Sequence, residues 1–255
     1  MANEPIETFK HIQRAWDAPI ITAAYYEILA RCALPVDQSR LKALTTPHAG
    51  DWLLAPPLTA VGLRVSDEAI RVATGFRLGT ILCQPHICVC RTMVDARGLH
   101  SLTCRKSAPR HIRHSQLIDL IRRATKKAQI PASKEQIWLS RSDDKWPDEA
   151  TQVPWSRGKH LACDVTVPDT FGAKGFGQEK DQVQWSGYHP YICTHRSVER
   201  SGAWCSQTAQ FIEDLERRIT AVINEPLETT YLYQRLSVLL QRDNAVAFNN
   251  TFPEK

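Results

Sequence analysis

The sequence predicts a mixed α/β (α+β) protein, with helices at both ends and a short-stranded sheet between them. Apolar residues recur at helical spacing through most of the first eighty residues and again through residues 206–242. Between these regions, short β-branched segments alternate with proline and glycine turn signals. Hydrophobic residues make up 43% of the 255-residue chain and charged residues 23%, which is typical of a protein that buries a core.

The first eighty residues are predicted to be a helical segment without a catalytic site. Pro19 is expected to end a first helix, because proline removes a helical hydrogen bond, and further helices are expected over residues 20–33 and 37–44. Ser66 has the chemistry of an N-cap, and two acidic residues follow it in the first helical turn. We expect that helix to end near Gly79.

The eight cysteines are predicted to be free thiols or metal ligands rather than disulfides. The first ten residues carry no basic stretch followed by an apolar one, so we expect no secretory leader. No apolar run approaches the roughly eighteen residues that suggest a membrane-spanning helix. Cysteines that cluster in a chain without a leader favour metal binding over cross-linking.

A cluster of soft metal ligands lies within residues 81–106. Its six members are Cys83, His86, Cys88, Cys90, His100 and Cys104. Three thiolates and one imidazole are a common tetrahedral set for structural Zn²⁺, and the last four members supply it. Gly98 would provide the turn before the second histidine. We therefore predict a zinc site formed by Cys88, Cys90, His100 and Cys104, while Cys83 and His86 leave the ligand choice open.

A basic tract follows directly after the last of these cysteines. Residues 105–127 carry eight Lys and Arg against the single acidic Asp119, a net charge of +7, compared with +5 for the whole chain. Residues 115–129 have the apolar spacing of a helix. A basic helix beside a zinc loop favours contact with nucleic-acid phosphates, and a solvated surface helix is the alternative. The predicted contact residues are Arg105, Lys106, Arg110, Arg113, Arg122, Arg123, Lys126 and Lys127.

Two aspartates sixteen residues apart are predicted to meet across a hairpin. Asp148 and Asp164 are associated with the β-rich segments 151–153 and 161–167, and residues 156–158 have the composition of a turn. A hairpin would bring the two carboxylates to neighbouring strands, where they could bind a hard cation such as Mg²⁺. The alternative is two unrelated surface aspartates, since such pairs are common.

In their order and spacing, these motifs resemble the C-terminal region of a non-LTR retrotransposon reverse transcriptase polyprotein. The matching motifs are Cys88-x-Cys90…His100…Cys104, Arg113-His114, Ser140-Arg141-Ser142-Asp143, Lys145-x-Pro147-Asp148, Pro154-Trp155-x-x-Gly158-Lys159 and Asp164-Val165-Thr166-Val167. In that family a Cys-Cys-His-Cys zinc knuckle precedes a restriction-like endonuclease of the PD-(D/E)-x-K class. The resemblance covers about residues 50–170 and resumes over 200–252. The chain has no polymerase Tyr/Phe-x-Asp-Asp motif, so we expect no DNA synthesis.

The resemblance implies a domain organisation. Residues 1–80 would be a helical linker after a polymerase, 81–106 the zinc knuckle, 107–200 the restriction-like endonuclease core and 201–255 the C-terminal helices. A strand predicted over 134–139 completes the helix–strand–strand–strand order of that core.

The resemblance also implies an activity, which is the nicking of target DNA. Asp148 and Asp164 would hold Mg²⁺, Glu135 would assist as an outer carboxylate, and a lysine would polarise the attacking water or the leaving group. DNA is the implied partner, with RNA left open as a second one. A DNA target in turn implies a nuclear location.

The chain departs from the family pattern over residues 171–198. The family places its catalytic lysine in a helix of small residues shortly after the second aspartate. Here Gly175 and Gly177 disfavour a helix, each by about 1 kcal/mol relative to alanine. Lys174 and Lys180 are the lysines that this stretch offers for the catalytic role, and Lys180 is taken as the candidate. A catalytically inactive, zinc-stabilised nucleic-acid-binding module and a non-functional transposon relic are therefore the alternatives to an active nuclease.

Overall fold

The two ends of the chain are helical and the middle carries two sheets, so the mixed α+β class is confirmed. The computed structural model describes residues 6–104, 106, 109–134, 147–167, 191–197, 200–224 and 227–253. The helices described are α1 (Ile6–Arg31), α2 (Pro35–Leu44), α3 (Asp51–Leu54), α4 (Asp67–Leu78), α5 (His100–Thr103), α6 (Pro109–Lys127), α7 (Ser206–Ile223) and α8 (Leu227–Asn249). The strands are β1 (His86–Ile87), β2 (Met93–Val94), β3 (Ala132–Lys134), β4 (Glu149–Thr151), β5 (His160–Thr166) and β6 (Tyr191–Ser197).

The N-terminal helices follow the sequence prediction except at one proline. Pro19 lies inside α1 and does not end it, so the predicted break there is wrong. A proline removes the bond that its own N–H would donate and crowds the carbonyl four residues earlier, which can kink a helix without ending it. The predicted cap of α4 is confirmed: the Ser66 hydroxyl accepts from the backbone N–H of Ala69, and Gly79 ends the helix in the left-handed conformation.

The long helix α8 joins the hydrophobic cores of the molecule. It packs against α3, α4, α5, α6 and α7. Leu236 and Leu240 belong to the largest core, which also takes in residues of α6, α7 and the sheet, whereas Phe248 belongs to a smaller core with α4 and α5. The C-terminal helices therefore hold the residues around the predicted knuckle and the predicted nuclease segment in one packed body.

A four-stranded sheet in the order β3-β4-β5-β6 lies at the centre of the predicted nuclease segment. β4 is antiparallel to both β3 and β5, and β5 is parallel to β6. The strand predicted over 151–153 begins and ends two residues earlier, as β4. One further backbone bond, from the Gln152 N–H to the Pro131 carbonyl, continues its pairing with β3, and Pro154 has no N–H to extend it. Of the strand predicted over 134–139, only residue 134 lies within the described residues.

The helices that flank the sheet begin and end at other residues than predicted. α6 begins at Pro109 rather than near residue 115, because proline suits the first turn of a helix. Cys205 occupies the N-cap of α7, and Ser206, where the predicted helical spacing starts, is its first residue. α8 continues to Asn249, beyond the predicted end at residue 242, because its last turns pack against α4 and α5.

Candidate metal centre and carboxylate pair

A short hairpin presents the first two cysteines of the predicted zinc set. β1 and β2 pair in the antiparallel direction, with Ile87 opposite Met93. The Cys88 N–H donates to the Thr92 carbonyl at 2.9 Å, and the Arg91 N–H donates to the Cys88 carbonyl at 2.7 Å. Arg91 has a φ of 71°, which reverses the chain within this turn. The turn therefore carries Cys88 and Cys90 at the tip of the hairpin.

A tight loop and the one-turn helix α5 present the other two members. The Asp95 carboxylate accepts from the Leu99 N–H at 2.9 Å, and the Gly98 N–H donates to the Asp95 carbonyl at 2.9 Å. His100 begins α5 and Cys104 follows its last residue, so the two are four residues apart and lie on one side of the turn.

The four side chains converge as a tetrahedral zinc site requires. The ligand atoms of Cys88, Cys90, His100 and Cys104 all lie within 4.8 Å of one another, and we call this set the Cys₃His group. The sulfurs of Cys88 and Cys104 are 3.7 Å apart, which matches the roughly 3.8 Å separation expected around a zinc ion with Zn–S bonds of about 2.3 Å. The Cys90 sulfur lies 3.1 Å from His100 Nε2. This group could therefore hold a metal ion such as zinc.

The surroundings of the Cys₃His group settle which neighbours are not members. The Cys83 thiol donates to the Asp95 carbonyl at 3.5 Å, outside the group. His86 stacks on Phe252 with ring centroids 4.1 Å apart, and its Nε2 lies 3.0 Å from the Thr251 hydroxyl. Because the residues after α8 contact His86, and Cys83 lies outside the group, the set that could hold a metal is the later four residues.

Two thiols of the group differ in how readily they ionise. A hydrogen bond with the Thr92 side chain lowers the pKa of the Cys90 thiol to about 6. Burial raises the pKa of the Cys104 thiol to about 11. Since thiolates rather than thiols bind metals, Cys104 needs the positive charge of a bound cation to lose its proton at neutral pH.

Gly98 links this group to the core around α8, which gives a testable consequence. A Cβ at Gly98 would lie 2.4 Å from Phe248 Cε2, and Phe248 is only 1% exposed and has no room to move. Gly62 has a similarly positive φ but nothing within 4 Å of a Cβ. We expect Gly98→Ala to lower the free energy of unfolding by about 1–3 kcal/mol more than Gly62→Ala. Equal losses in urea unfolding would show that this contact is unimportant.

The two predicted aspartates meet at the junction of β4 and β5. Glu149 pairs with Cys163, so Asp148 and Asp164 are the next residues on the two antiparallel strands. An interaction with the Asp164 side chain is one of the causes that lower the pKa of the Asp148 carboxyl. The Val165 N–H donates to Asp148 Oδ2 at 2.7 Å. We call Asp148 and Asp164 the carboxylate pair. It presents two half-buried carboxylate groups, whose oxygens could bind a cation, on one side of the hairpin.

His114 of α6 contacts the carboxylate pair, and the residue-level predictions gave it no role. Its Nε2 lies 3.2 Å from Asp148 Oδ2 and 2.9 Å from the Val165 carbonyl. The hydrogen bond to Asp148 raises the pKa of the His114 imidazole. Burial opposes ionisation of Asp148, yet the bonds from His114 and Val165 hold the pKa of its carboxyl below the ordinary value. The sequence signal that could have pointed to His114 was the Arg113-His114 motif, which is part of the resemblance.

Several predicted site residues lie outside the described part of the chain. Glu135, Lys180 and the alternative Lys174 belong to segments that the structure does not describe. Arg105 lies outside it as well, and of Arg110 only the backbone is described. Their predicted roles therefore stay predictions.

The described residues of the basic tract divide into an exposed and a buried part. Lys106, Lys126 and Lys127 are exposed. Arg122 and Arg123 both pair with Asp119, at 3.0 and 2.7 Å, and Arg123 remains 79% exposed. The end of α6 therefore presents cationic side chains to solvent, while one carboxylate offsets part of their charge.

The predicted contact of Arg113 with nucleic acid is contradicted by the burial of its side chain. Its side chain is only 3% exposed, and its guanidinium donates to the Asp243 carbonyl of α8 at 3.4 Å. Position 113 lies on the same face of α6 as Leu117 and Ile121, which pack in the core, so this arginine cannot reach a nucleic acid in this fold. Burial raises the pKa of Asp243 to about 6, against the opposing charge of Arg113.

Comparison with models of known protein families gives no match, and comparison with curated proteins gives none. Among the residues that the structure describes, no helix combines the length and the apolar character that crossing a bilayer requires. The nuclear location stays a prediction.

Proposed function

We propose that this chain is the endonuclease region of a non-LTR retrotransposon polyprotein, and that it nicks DNA in a Mg²⁺-dependent reaction. The observation that carries the proposal is the carboxylate pair, in which Asp148 and Asp164 meet across β4 and β5 beside a basic helix. The Cys₃His group supports the same proposal, because it occurs just before the sheet, where the resemblance predicts a zinc knuckle.

The order of the elements is a second support. The helix α6 is followed by β3, β4 and β5, and this is the helix–strand–strand–strand order expected of a restriction-like core. α6 packs on this sheet, and His114 joins the helix to the residue that precedes β4. A restriction-like core would place its metal-binding carboxylates where the carboxylate pair lies.

The chemistry follows from the donor atoms. The carboxylate pair supplies only oxygen ligands, which suit a hard cation and not the soft Zn²⁺ that the Cys₃His group suits. Mg²⁺ held there would lower the pKa of a coordinated water and offset charge at the scissile phosphate. Lys126 and Lys127 on the exposed end of α6 would contact neighbouring phosphates of the backbone. Attack of the water oxygen on phosphorus breaks one P–O ester bond and leaves a phosphate end and a hydroxyl end.

The test is a plasmid-nicking assay with Mg²⁺ and then Mn²⁺. We expect Asp164→Ala and Asp148→Ala each to lower the nicking rate by about 100-fold or more, because each removes part of several kcal/mol of charge stabilisation. Asp214→Ala is the matched control, since Asp214 pairs with Arg217 on α7 and is not a member of the carboxylate pair. Nicking that persists in Asp148→Ala would overturn the proposed metal role.

A zinc-stabilised nucleic-acid-binding module without catalysis is the second candidate. Two observations favour it, the Cys₃His group and the exposed cationic end of α6, because contacts between lysine side chains and phosphates need no catalytic lysine. DNA binding that weakens in Lys126→Ala/Lys127→Ala, with no cut under either divalent ion, would select this candidate. If the chain binds neither zinc nor DNA, the remaining hypothesis is a non-functional transposon relic.

A further inference from the structure

The imidazole of His114 contacts both β5 and Asp148. His114 Nε2 is 2.9 Å from the Val165 carbonyl oxygen, which can only accept. Nε2 therefore carries the hydrogen, and Asp148 Oδ2 lies 3.2 Å from the same nitrogen as its ion-pair partner. One donor on α6 thus contacts a backbone atom of β5 and the carboxylate that precedes β4.

Asp148 Oδ2 is contacted from two sides. The Val165 N–H donates to it at 2.7 Å, and His114 Nε2 forms an ion pair with it at 3.2 Å. Two contacts on one carboxylate oxygen restrict the rotation of the carboxyl group about its bond to Cβ. Oδ1 is then the oxygen left to bind a cation shared with Asp164.

We propose that His114 is a positioning residue that holds Asp148 in the orientation required to bind a divalent cation together with Asp164. This inference rests on the proposed function, and it adds a role for α6 that the sequence did not predict. His114 acts through Asp148 and touches neither the substrate nor the cation. Its loss leaves Asp148 Oδ2 with the Val165 N–H but without the ion pair from α6, so the carboxylate is held less firmly. This lowers the affinity for the cation while the contacts of the basic tract with DNA are unchanged.

Direct Mn²⁺ binding tests this positioning without relying on cleavage. In the full chain loaded with zinc, free Mn²⁺ is titrated by its electron paramagnetic resonance signal in the presence and absence of DNA. We expect His114→Ala to weaken Mn²⁺ binding about tenfold, as removal of the partner of a metal ligand commonly does. DNA affinity, measured by fluorescence anisotropy, should stay within about twofold of the native value, since His114 makes no phosphate contact.

Two further variants keep the test decisive if the alanine variant does not fold. In His114→Gln the amide nitrogen reaches the position of Nε2 and restores the donor, whereas in His114→Asn the amide nitrogen ends at the position of Nδ1 and cannot reach Oδ2. We expect Mn²⁺ affinity close to native in the glutamine variant and weakened in the asparagine variant. Equal affinities in these two variants would overturn the positioning role.

The outcomes separate this inference from the proposed function. Native Mn²⁺ binding that is lost in Asp164→Ala, without any nicking, overturns the nuclease proposal and leaves the positioning of Asp148 intact. Absence of Mn²⁺ binding by the native chain overturns both. Nicking that needs about tenfold more Mg²⁺ in His114→Asn but reaches the native rate at saturation supports both.

Discussion

Replacing Cys104 with serine is expected to abolish stoichiometric zinc binding and to unfold the hairpin β1–β2 together with α5. Among the residues that the structure describes, the hydrophobic cluster at this hairpin consists of Cys88, Val94 and Cys104, with Cys83 and Cys90 packed against it. A segment with so small a core depends on its metal, and in small zinc-dependent peptides binding contributes about 10–16 kcal/mol to folding. Part of that effect is offset here, because Leu102 and Phe248 pack together in a neighbouring core.

The measurement is zinc content by atomic emission, followed by thermal unfolding with and without a chelator. Native protein should contain one zinc ion per chain at the Cys₃His group, and Cys104→Ser and His100→Ala should contain little. The chain supplies a matched control for each, in Cys83→Ser and His86→Ala, because both residues lie nearby and outside the group. Zinc retained by Cys104→Ser, or lost from Cys83→Ser, would contradict this assignment.

Glu216→Gln is expected to stabilise the protein increasingly as the pH rises. Glu216 is 3% exposed in α7, and its Oε1 has no hydrogen-bond partner within the described residues. Burial, followed by the negative charges of Glu213 and Asp51, raises the pKa of its carboxyl to about 8 from an ordinary value of 4.5. The folded chain therefore holds this proton more tightly than the unfolded chain.

The sign of the pH dependence follows from that difference in pKa. Below about pH 4.5 both states are protonated and Glu216 has little effect on stability. Between about pH 4.5 and 8 the unfolded state loses its proton first, so the free energy of unfolding falls by up to about 1.4 kcal/mol per pH unit. The glutamine side chain does not titrate in this pH range, so the free energy of unfolding of Glu216→Gln does not fall for this reason.

Urea unfolding at about pH 5 and about pH 8 measures the effect. We expect similar stabilities for native and Glu216→Gln protein at the lower pH and a difference of several kcal/mol at the higher one. Glu213→Gln, one turn earlier on α7 and exposed, should show a much smaller difference. A constant gap between native and Glu216→Gln protein at the two pH values would exclude titration of this carboxyl.

Local patterns in the sequence predicted the parts of the structure whose causes are local. The cap at Ser66 and the glycine that ends α4 depend on backbone groups within a few residues, and both were predicted from composition. The turn at residues 156–158 is confirmed by the Ser156–Lys159 bridge, and it brings β4 and β5 side by side in the antiparallel direction. The register of β4 on β5, with Glu149 opposite Cys163, is shifted by three residues from the pairing in the turn, so the turn predicted that the two strands are neighbours but not that Asp148 lies opposite Asp164.

The sequence by itself thus determined the mixed class, the Cys₃His group and the hairpin that carries the carboxylate pair. Only the tertiary structure decided which residues beside them take part, because those contacts join segments far apart in the chain. Phe252 stacks on His86, α8 buries Arg113, and α6 brings His114 to Asp148. The spacing of the zinc ligands and the position of the hairpin turn are short-range properties of the sequence. The burial of Arg113 and the contact of His114 with Asp148 depend instead on how the helices pack.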